Sequence, residues 1–195
     1  MSTTTSLKFE NGYYRGDITN NYIRDGVGIM KYNNGHTYEG QYVNNCREGF
    51  GIYYFNNNDK YEGQFMSNKR HGFGVYKYNN NTVYTGFWME NVKHGYGSLV
   101  YTDGVTIRGI FDNGDIKFGD IDFPNNSSYH GEIDSFMMNG TGNFKYSDDF
   151  SIEGKFIKDE LVVNDQSICV FCCETNCDSE CYEMYEGVCG KPEIF

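Results

Sequence analysis

The sequence predicts an all-β fold built from successive β-hairpins, and three observations support this prediction. A segment of five residues returns every 23 residues, at 38–42 (YEGQY), 61–65 (YEGQF) and 84–88 (YTGFW). Each copy is followed by a glycine, an aromatic residue and a second glycine, first as Gly49, Phe50 and Gly51. The chain has 24 glycines, 18 tyrosines and 15 phenylalanines but no alanine, the strongest helix former. A fixed period of this length indicates a repeat array.

The units can be followed along the chain in order. A truncated half unit comes first, since 7–12 (LKFENG) matches 30–35 (MKYNNG). Units begin at Tyr14, Tyr38, Tyr61, Tyr84, Ile107 and Tyr129, the fifth of them with altered glycines, and a degenerate seventh begins at Ile152. The predicted organisation is therefore an N-terminal segment at 1–13, a repeat array at 14–164 of about six units plus a degenerate seventh, and an acidic, cysteine-rich tail at 165–195.

Each unit is expected to form one hairpin. In the second unit, strand A covers 38–43, a polar turn covers 44–48 and strand B covers 49–55. Asn, Asp and Gly occupy the turns because they tolerate positive φ. Alternation along the strands places glycines and large rings together on one face and a mixture of polar and apolar residues on the other. Since glycine leaves space beside the backbone, we expect rings from neighbouring strands to lie across the glycines.

The repeated pattern resembles the MORN (membrane occupation and recognition nexus) repeat. It reads Tyr-x-Gly-x-[Tyr/Phe/Trp], then Gly-x-Gly, then Tyr-x-Asn-Gly, and it covers roughly residues 7–160 with its best match at 61–84. The resemblance implies an elongated, twisted antiparallel meander. It also implies a scaffold or membrane-adaptor role, often with self-association. The starts at Ile107 and Ile152 and the altered glycines of the fifth unit depart from the pattern, as expected where an array is capped.

Four basic residues recur two positions before the first glycine of Gly-x-Gly, and we call them the basic ladder: Arg24, Arg47, Arg70 and Lys93. Equivalent points on successive hairpins lie about 10 Å apart, so the ladder would line about 30 Å of one edge. Such a row suits acidic lipid headgroups or an acidic partner surface. The alternative is a set of solvated turn residues, and Asp25 and Glu48 beside the ladder favour it by diluting the positive charge.

Ring positions of strand A form a second candidate site. Regularly spaced aromatic residues suit the anchoring of a peptide or a helix. The residues concerned are Tyr38, Tyr42, Tyr61, Phe65, Tyr84 and Trp88. The alternative is that these rings are the only core available to a one-layer sheet, and the sequence favours this alternative for most of them.

The tail concentrates six of the seven cysteines: Cys169, Cys172, Cys173, Cys177, Cys181 and Cys189. In a reducing compartment, dense cysteines suggest metal, and four thiolates would satisfy tetrahedral zinc. Only one Cys-x2-Cys pair is present, so the spacing matches no standard zinc motif. In an oxidising compartment six cysteines permit three disulfides, and free thiols are a third alternative. Ile168, Val170 and Phe171 are expected to fold back over the last strand.

Charge and motif content exclude several functions. The net charge of −11 argues against duplex nucleic acid, which requires an excess of Lys and Arg. No Gly-x-Ser-x-Gly, P-loop or His-Glu-x-x-His motif is present, and the Gly-x-Gly segments close hairpins rather than open helices. We therefore expect no catalytic activity and no small-molecule substrate.

These observations predict a non-catalytic scaffold that binds a protein partner or a second copy of itself. One alternative is a peripheral membrane adaptor that binds anionic headgroups through the basic ladder. The other is a metal- or redox-responsive module that acts through the tail, with zinc as the candidate cofactor. No signal core or apolar run of transmembrane length is visible, so a cytoplasmic location is expected, peripheral at a membrane if the ladder binds lipid.

Overall fold

The computed structural model describes residues 3–148, 150–164 and 166–171, and these residues form strands and turns but no helix. The chain divides into two compact structural units, residues 1–102 and the residues from 103 onward. Below, the first unit and the second unit are these two parts of the chain and not single repeats. The first unit contains β1 (Thr3–Phe9), β2 (Gly12–Ile18), β3 (Arg24–Tyr32), β4 (Thr37–Val43), β5 (Cys46–Tyr54), β6 (Lys60–Met66), β7 (Lys69–Lys77), β8 (Val83–Met89) and β9 (Val92–Val100). The second contains β10 (Thr106–Asp112), β11 (Asp115–Asp122), β12 (Ser128–Asp134), β13 (Met137–Lys145), β14 (Ser151–Ile157), β15 (Glu160–Val163) and β16 (Gln166–Cys169).

Within each unit, every strand pairs antiparallel with the strand that follows it in the chain. This confirms the predicted all-β meander of hairpins. The truncated first half unit is also present, as β1 paired with β2. The domain boundaries predicted at 13/14 and 164/165 stay predictions, since the two compact units follow a different division of the chain.

The turn inside the hairpin of β4 and β5 is shorter than the sequence predicted. Between β4 and β5 the turn consists of Asn44 and Asn45 alone, with φ of 48° and 69°, as two-residue hairpin turns with positive φ at both positions require. The remaining length is taken up inside β5 by a bulge at Gly49, whose φ is 64°. Gly40 pairs with Gly51, whereas Tyr42 pairs with Arg47. Arg47 therefore lies in a strand and not in a turn.

Polar side chains on the preceding strand hold the bulges in place. Gln41 Oε1 accepts a hydrogen bond of 2.7 Å from the backbone N–H of Phe50, and Gln64 Oε1 accepts one of 2.8 Å from that of Phe73. A bulge leaves some backbone groups without a hydrogen-bond partner on the neighbouring strand. An accepting side chain at this position therefore binds a backbone N–H that strand pairing leaves unsatisfied.

Glycines and rings share one face of the sheet in the first unit, which we call the ring face. The Tyr61 ring covers Gly74 so closely that a Cβ atom on Gly74 would lie 2.6 Å from Tyr61 Cε2. The Tyr61 hydroxyl donates a hydrogen bond of 2.8 Å to the Gln64 carbonyl. Neighbouring rings then pack edge to face, with ring centroids 5.1 Å apart for Tyr61 and Phe65 and 5.4 Å apart for Tyr61 and Trp88. Among the described residues, the sheet of the first unit thus builds its core on its own face, without a second layer.

In the second unit the chain after β15 adds a strand and a small aromatic cluster. β16 pairs with β15, Val170 is buried, and the Phe171 ring lies 5.1 Å from Phe123 and 5.6 Å from Phe144. The sequence predicted that Ile168, Val170 and Phe171 would cap the last strand; Ile168 does so by pairing with Leu161 of β15, whereas Phe171 packs on rings farther back in the sheet. The apolar contacts cover ring surface that would otherwise face water.

Candidate functional site

The basic ladder lies on the ring face, because the bulges shift its residues into the strands. Arg47 pairs with Tyr42, Arg70 with Phe65 and Lys93 with Trp88. Cross-strand partners share a face of the sheet, so each base stands beside the rings. The sequence placed these residues at turn tips, whereas the structure places Arg47, Arg70 and Lys93 within strands.

Arg70 shows how closely the ladder packs against rings. Its guanidinium carbon lies 4.5 Å from the centroid of the Trp88 ring, 5.2 Å from that of Tyr76 and 5.8 Å from that of Tyr61. These distances are in the range of cation–π attraction. Burial lowers the pKa of the Arg70 guanidinium from its ordinary value, and the nearby tyrosines act in the opposite direction.

Each ladder arginine also joins its own hairpin to the turn of the next one. The Arg70 N–H donates to Asn91 Oδ1 at 2.9 Å, its Nη2 donates to the Asn91 carbonyl at 2.8 Å, and the Asn91 N–H donates to the Arg70 carbonyl at 3.0 Å. The same three bonds recur between two other pairs 21 residues apart: Arg24 and Asn45, and Arg47 and Asn68. We call this arrangement the clasp. It stabilises the stacking of successive hairpins.

Asp25 and Glu48, the acidic residues beside the basic ladder, also connect successive hairpins. Asp25 Oδ2 accepts a hydrogen bond of 3.2 Å from the N–H of Asn44, and Glu48 Oε2 accepts one of 2.9 Å from that of Ser67. Both acceptors reach the turn of the following hairpin, so the charges beside the ladder serve contacts within the array. The binding of lipid or partner by the ladder stays a prediction.

A related clasp without arginine occurs in the second unit. Met138 occupies the ladder position two residues before Gly140, and its N–H donates a hydrogen bond of 2.7 Å to Asp159 Oδ1. The Asp159 N–H donates in return to the Met138 carbonyl at 3.0 Å. Burial raises the pKa of the Asp159 carboxyl above its ordinary value, and the bond from Met138 offsets only part of this effect.

Replacing Asp159 by asparagine is expected to stabilise the protein at neutral pH. Asparagine keeps the accepting oxygen, as Asn45, Asn68 and Asn91 do, but carries no charge to bury. Because the folded-state pKa of Asp159 is raised, wild type loses stability as pH rises from about 3.9 through that pKa. The gain for Asp159→Asn should therefore be near zero below pH 4 and reach about 0.5–2 kcal/mol at pH 7. Urea unfolding at both pH values measures it, and an equal effect at both would contradict the prediction.

Six rings predicted as a candidate binding surface are buried on the ring face. The exposed fraction is 0% for Tyr38, Tyr61 and Tyr84, and at most 5% for the remaining three, which are Tyr42, Phe65 and Trp88. They pack on glycines and on one another, so a ligand that touched them would first have to displace the core. Burial also raises the pKa of Tyr14 on the ring face, and that of Tyr129 in the second unit, to about 12. The six residues thus serve as the core that the sequence favoured.

The opposite face of the first unit, which we call the outer face, carries exposed apolar side chains. The middle residues of the Gly-x-Gly segments recur every 23 residues, and Phe50 and Tyr96 among them are 62% and 55% exposed. Phe87 opposes Phe73, with ring centroids 5.6 Å apart. We call the whole set the apolar stripe: Val27, Phe50, Phe73, Phe87 and Tyr96. The sequence contained its signal, since the aromatic residue between the glycines is periodic.

Two glutamines complete the row to which the stripe belongs. Gln41 pairs with Val27, and Gln64 pairs with Phe50. The row then has one residue on each strand from β3 to β9, and six strand spacings give it a length of about 29 Å. Phenylalanine and tyrosine side chains that stand in water at this regularity make the outer face a candidate contact surface.

Most of the tail lies outside the described residues. Cys169 is buried at the end of β16, whereas Cys172, Cys173, Cys177, Cys181 and Cys189 fall beyond residue 171. Zinc, disulfides and free thiols therefore stay alternative predictions for the tail. Within the described ranges, no three or more His, Cys, Asp and Glu side chains come together in a way that could hold a metal ion.

Comparison with known families identifies the repeat. Four consecutive segments, 20–37, 38–60, 61–83 and 84–106, match the MORN repeat family. These four segments are MORN repeats. Each MORN repeat contributes one residue to the basic ladder and at least one residue to the apolar stripe. In the part of the chain that the structure describes, no helix is long and apolar enough to cross a membrane.

Comparison with solved structures finds similar domains at low identity. The TCP domain of SAS-4 (dCPAP) from Drosophila melanogaster, in complex with a proline-rich motif of Ana2 (dSTIL), is 19% identical with a TM-score of 0.47, covering 78% of this chain and 77% of that chain. The TCP10 domain of Danio rerio CPAP, in complex with a peptide of Danio rerio STIL, is 11% identical with a TM-score of 0.31, covering 78% and 84%. The CPAP G-box domain is 18% identical with a TM-score of 0.33, covering 80% and 100%. No curated protein matches the chain.

Proposed function

We propose that the MORN repeats form a non-catalytic scaffold that binds a protein partner on the outer face. The apolar stripe carries this proposal, because its side chains are exposed at the repeat spacing whereas the rings of the opposite face are buried. Contiguous exposed apolar surface on a folded protein marks an interaction site, and the stripe supplies it where Phe73, Phe87 and Tyr96 lie on consecutive strands. Aromatic side chains are also the residues that contribute most to protein interfaces when a partner covers them.

The repeat architecture suits this role for a second reason. Stacked repeats present an extended surface in which each unit supplies an equivalent position, so contacts of moderate strength accumulate along the row. The stripe offers one apolar residue on each of five strands, and polar residues occupy the two strands between them. A partner that reaches several of these positions at once would bury the rings and exclude water from them.

Replacing two stripe residues together, Phe50→Ser and Phe73→Ser, is expected to weaken partner binding. Peptides selected from a random display library against wild type should bind the double variant at least about 10-fold more weakly, since each lost aromatic anchor costs 1 kcal/mol or more. Stability should fall by no more than about 1 kcal/mol because both side chains are exposed. Fluorescence anisotropy with labelled peptides measures the binding, and thermal unfolding measures the stability.

A matched control is Tyr22→Ser, which removes an exposed aromatic side chain from a turn outside the stripe. This control should bind the selected peptides as wild type does. If the double variant and the control bind with equal affinity, the stripe is not the contact surface and the proposed function is contradicted.

A further inference from the structure

A row of lysines and tyrosines crosses the outer face of the first unit beside the apolar stripe. Strand pairing aligns one residue from each of seven strands, from β1 to β7. We call these residues the lysine row: Lys8, Tyr13, Lys31, Thr37, Tyr54, Lys60 and Lys77. Six strand spacings give the row a length of about 29 Å.

The lysine row has a strong excess of positive charge. Lys60 pairs directly with Lys77, an arrangement that is unfavourable in a sheet unless an anion compensates for it. Lys60 forms an ion pair of 2.8 Å with Glu62, and within the described residues Lys8, Lys31 and Lys77 form none. The first unit is also more positive than the rest of the chain. Residues 1–102 contain ten lysines and arginines and eight acids, whereas the whole chain has a net charge of −11.

A partner that uses both rows must be wide enough to reach from one to the other. Val27 and Lys31, Phe50 and Tyr54, and Phe73 and Lys77 are each four residues apart on one strand, which separates the two rows by about 14 Å. An α-helix with its side chains is about 10–12 Å across and fills this gap. An extended segment occupies only about 4.8 Å and would contact a single row.

The residues between the two rows suit the buried side of such a helix. Ile29, Ile52 and Val75 lie in the middle row, interleaved with Glu39 and Glu62. The β-branched side chains offer apolar contact in the centre of the gap, and Lys60 neutralises Glu62. Tyr54, Lys60 and Lys77 also line one groove, whose other residues come from the adjacent turns.

We propose that the outer face binds an acidic amphipathic α-helix of a partner protein. The helix lies across the strands, with its apolar side on the stripe and its carboxylates on the lysine row. Both rows are present on the five strands from β3 to β7, so a helix contacts both over about 19 Å, or about 13 residues, and a helix that follows either row in full has about 19 residues. This inference rests on the proposed function, because it requires that the stripe be a contact surface.

The test uses a synthetic peptide as the probe. A 19-residue peptide of leucine, alanine and glutamate carries leucines at helical spacing on one side and glutamates along the adjacent side, and a matched peptide has glutamine in place of each glutamate. Full-length wild type is expected to bind the glutamate peptide at least about 10-fold more tightly at 0.15 M salt, with affinity falling as salt rises. Fluorescence anisotropy measures both peptides.

Two double variants locate the charge that matters. Lys31→Glu/Lys77→Glu should weaken binding of the glutamate peptide at least about 10-fold while leaving thermal unfolding unchanged, since both lysines are exposed. Lys155→Glu/Lys158→Glu changes the total charge equally at exposed positions of the second unit and should bind as wild type does. Equal binding of the two peptides by wild type, or equal binding by the two variants, would overturn the inference.

Further arms separate this inference from the proposed function. If Phe50→Ser/Phe73→Ser abolishes binding of both peptides but the lysine variant has no effect, the scaffold proposal stands and the acidic helix does not. If the lysine variant matters but the stripe variant does not, the proposed contact surface is wrong, and so is the inference built on it. Binding of wild type to phosphatidylserine vesicles without binding to the peptide would identify a membrane surface and also overturn the inference.

Discussion

Gly74→Ala is expected to cost the first unit about 3 kcal/mol or more. The added Cβ would lie 2.6 Å from both Cε2 and Cζ of Tyr61, well inside van der Waals contact. The ring cannot move aside, because Tyr61 is fully buried between Phe65 and Trp88 and its hydroxyl is bonded to the Gln64 carbonyl. Insertion of atoms into a packed core typically costs about 1–3 kcal/mol. The cost for Gly74→Ala should lie at the upper end of this range, because the new Cβ is attached to the backbone and the Tyr61 ring that it meets is fixed in place.

Gly154→Ala is the matched control for this collision. Its new Cβ would meet only the tip of the Leu161 side chain, at 2.5 Å from Cδ1, and the next atom of that side chain is 3.9 Å away. A leucine methyl group can change rotamer, so the expected cost is about 1 kcal/mol or less. Urea or thermal unfolding compares the two variants. Equal losses would show that the ring over Gly74 yields as easily as a leucine tip, contrary to the packing inferred here.

The joint recurrence of glycine and tyrosine was enough to predict this face of the sheet. Tyr61 and Gly74 are on different strands of one hairpin, and alternation puts both on the same side once the hairpin is assumed. The contact between them can be predicted without further information, because the space beside the glycine backbone is where a large neighbouring ring can pack. The sequence accordingly favours the core interpretation for most of the six buried rings.

The position of the basic ladder could not be predicted in the same way. A glycine in the sequence, such as Gly49, is equally compatible with a turn and with a bulge, because both use the positive φ that glycine adopts easily. Only the register shows that the turn ends at Asn45 and that the surplus residues form a bulge inside β5. This difference moves Arg47 from the edge of the sheet to its ring face, beside Tyr42.

The lysine row carries the same period as the stripe and the ladder. Lys8, Lys31, Tyr54 and Lys77 follow one another at intervals of 23 residues. Lys60 belongs to a different position of the repeat, and its place beside Lys77 follows only from the strand register. The period therefore identifies equivalent positions, and pairing shows which different positions form one row.

Arg70→Ala should destabilise the first unit by about 3 kcal/mol or more. The variant loses attraction to the Trp88, Tyr76 and Tyr61 rings, which is about 2 kcal/mol for a desolvated guanidinium. It also loses the charge-assisted bond to the Asn91 carbonyl, which contributes about 1.5–3 kcal/mol, and leaves a space among the rings. Unfolding in urea measures the loss.

Lys69→Ala tests the adjacent residue as the control. Lys69 forms an exposed ion pair of 3.0 Å with Glu90, and such pairs contribute about 0–1 kcal/mol. The prediction is contradicted if the two variants lose similar stability. A large difference would show that the base at the ladder position acts through burial among the rings, and that a basic residue at the surface beside it does not.

Two conservative variants separate the charge of Arg70 from its volume. Arg70→Lys keeps the charge but loses the planar group that reaches the Asn91 carbonyl, and Arg70→Met keeps apolar bulk, as Met138 does at the equivalent position of the second unit. If methionine restores more stability than lysine, packing is the larger contribution to the clasp. Either outcome constrains any search for lipid binding by the ladder, because reversal of charge at Arg47 or Arg70 would disturb the core before it altered a surface. A loss of vesicle binding at these positions would therefore have to be compared with the unfolding of the same variant.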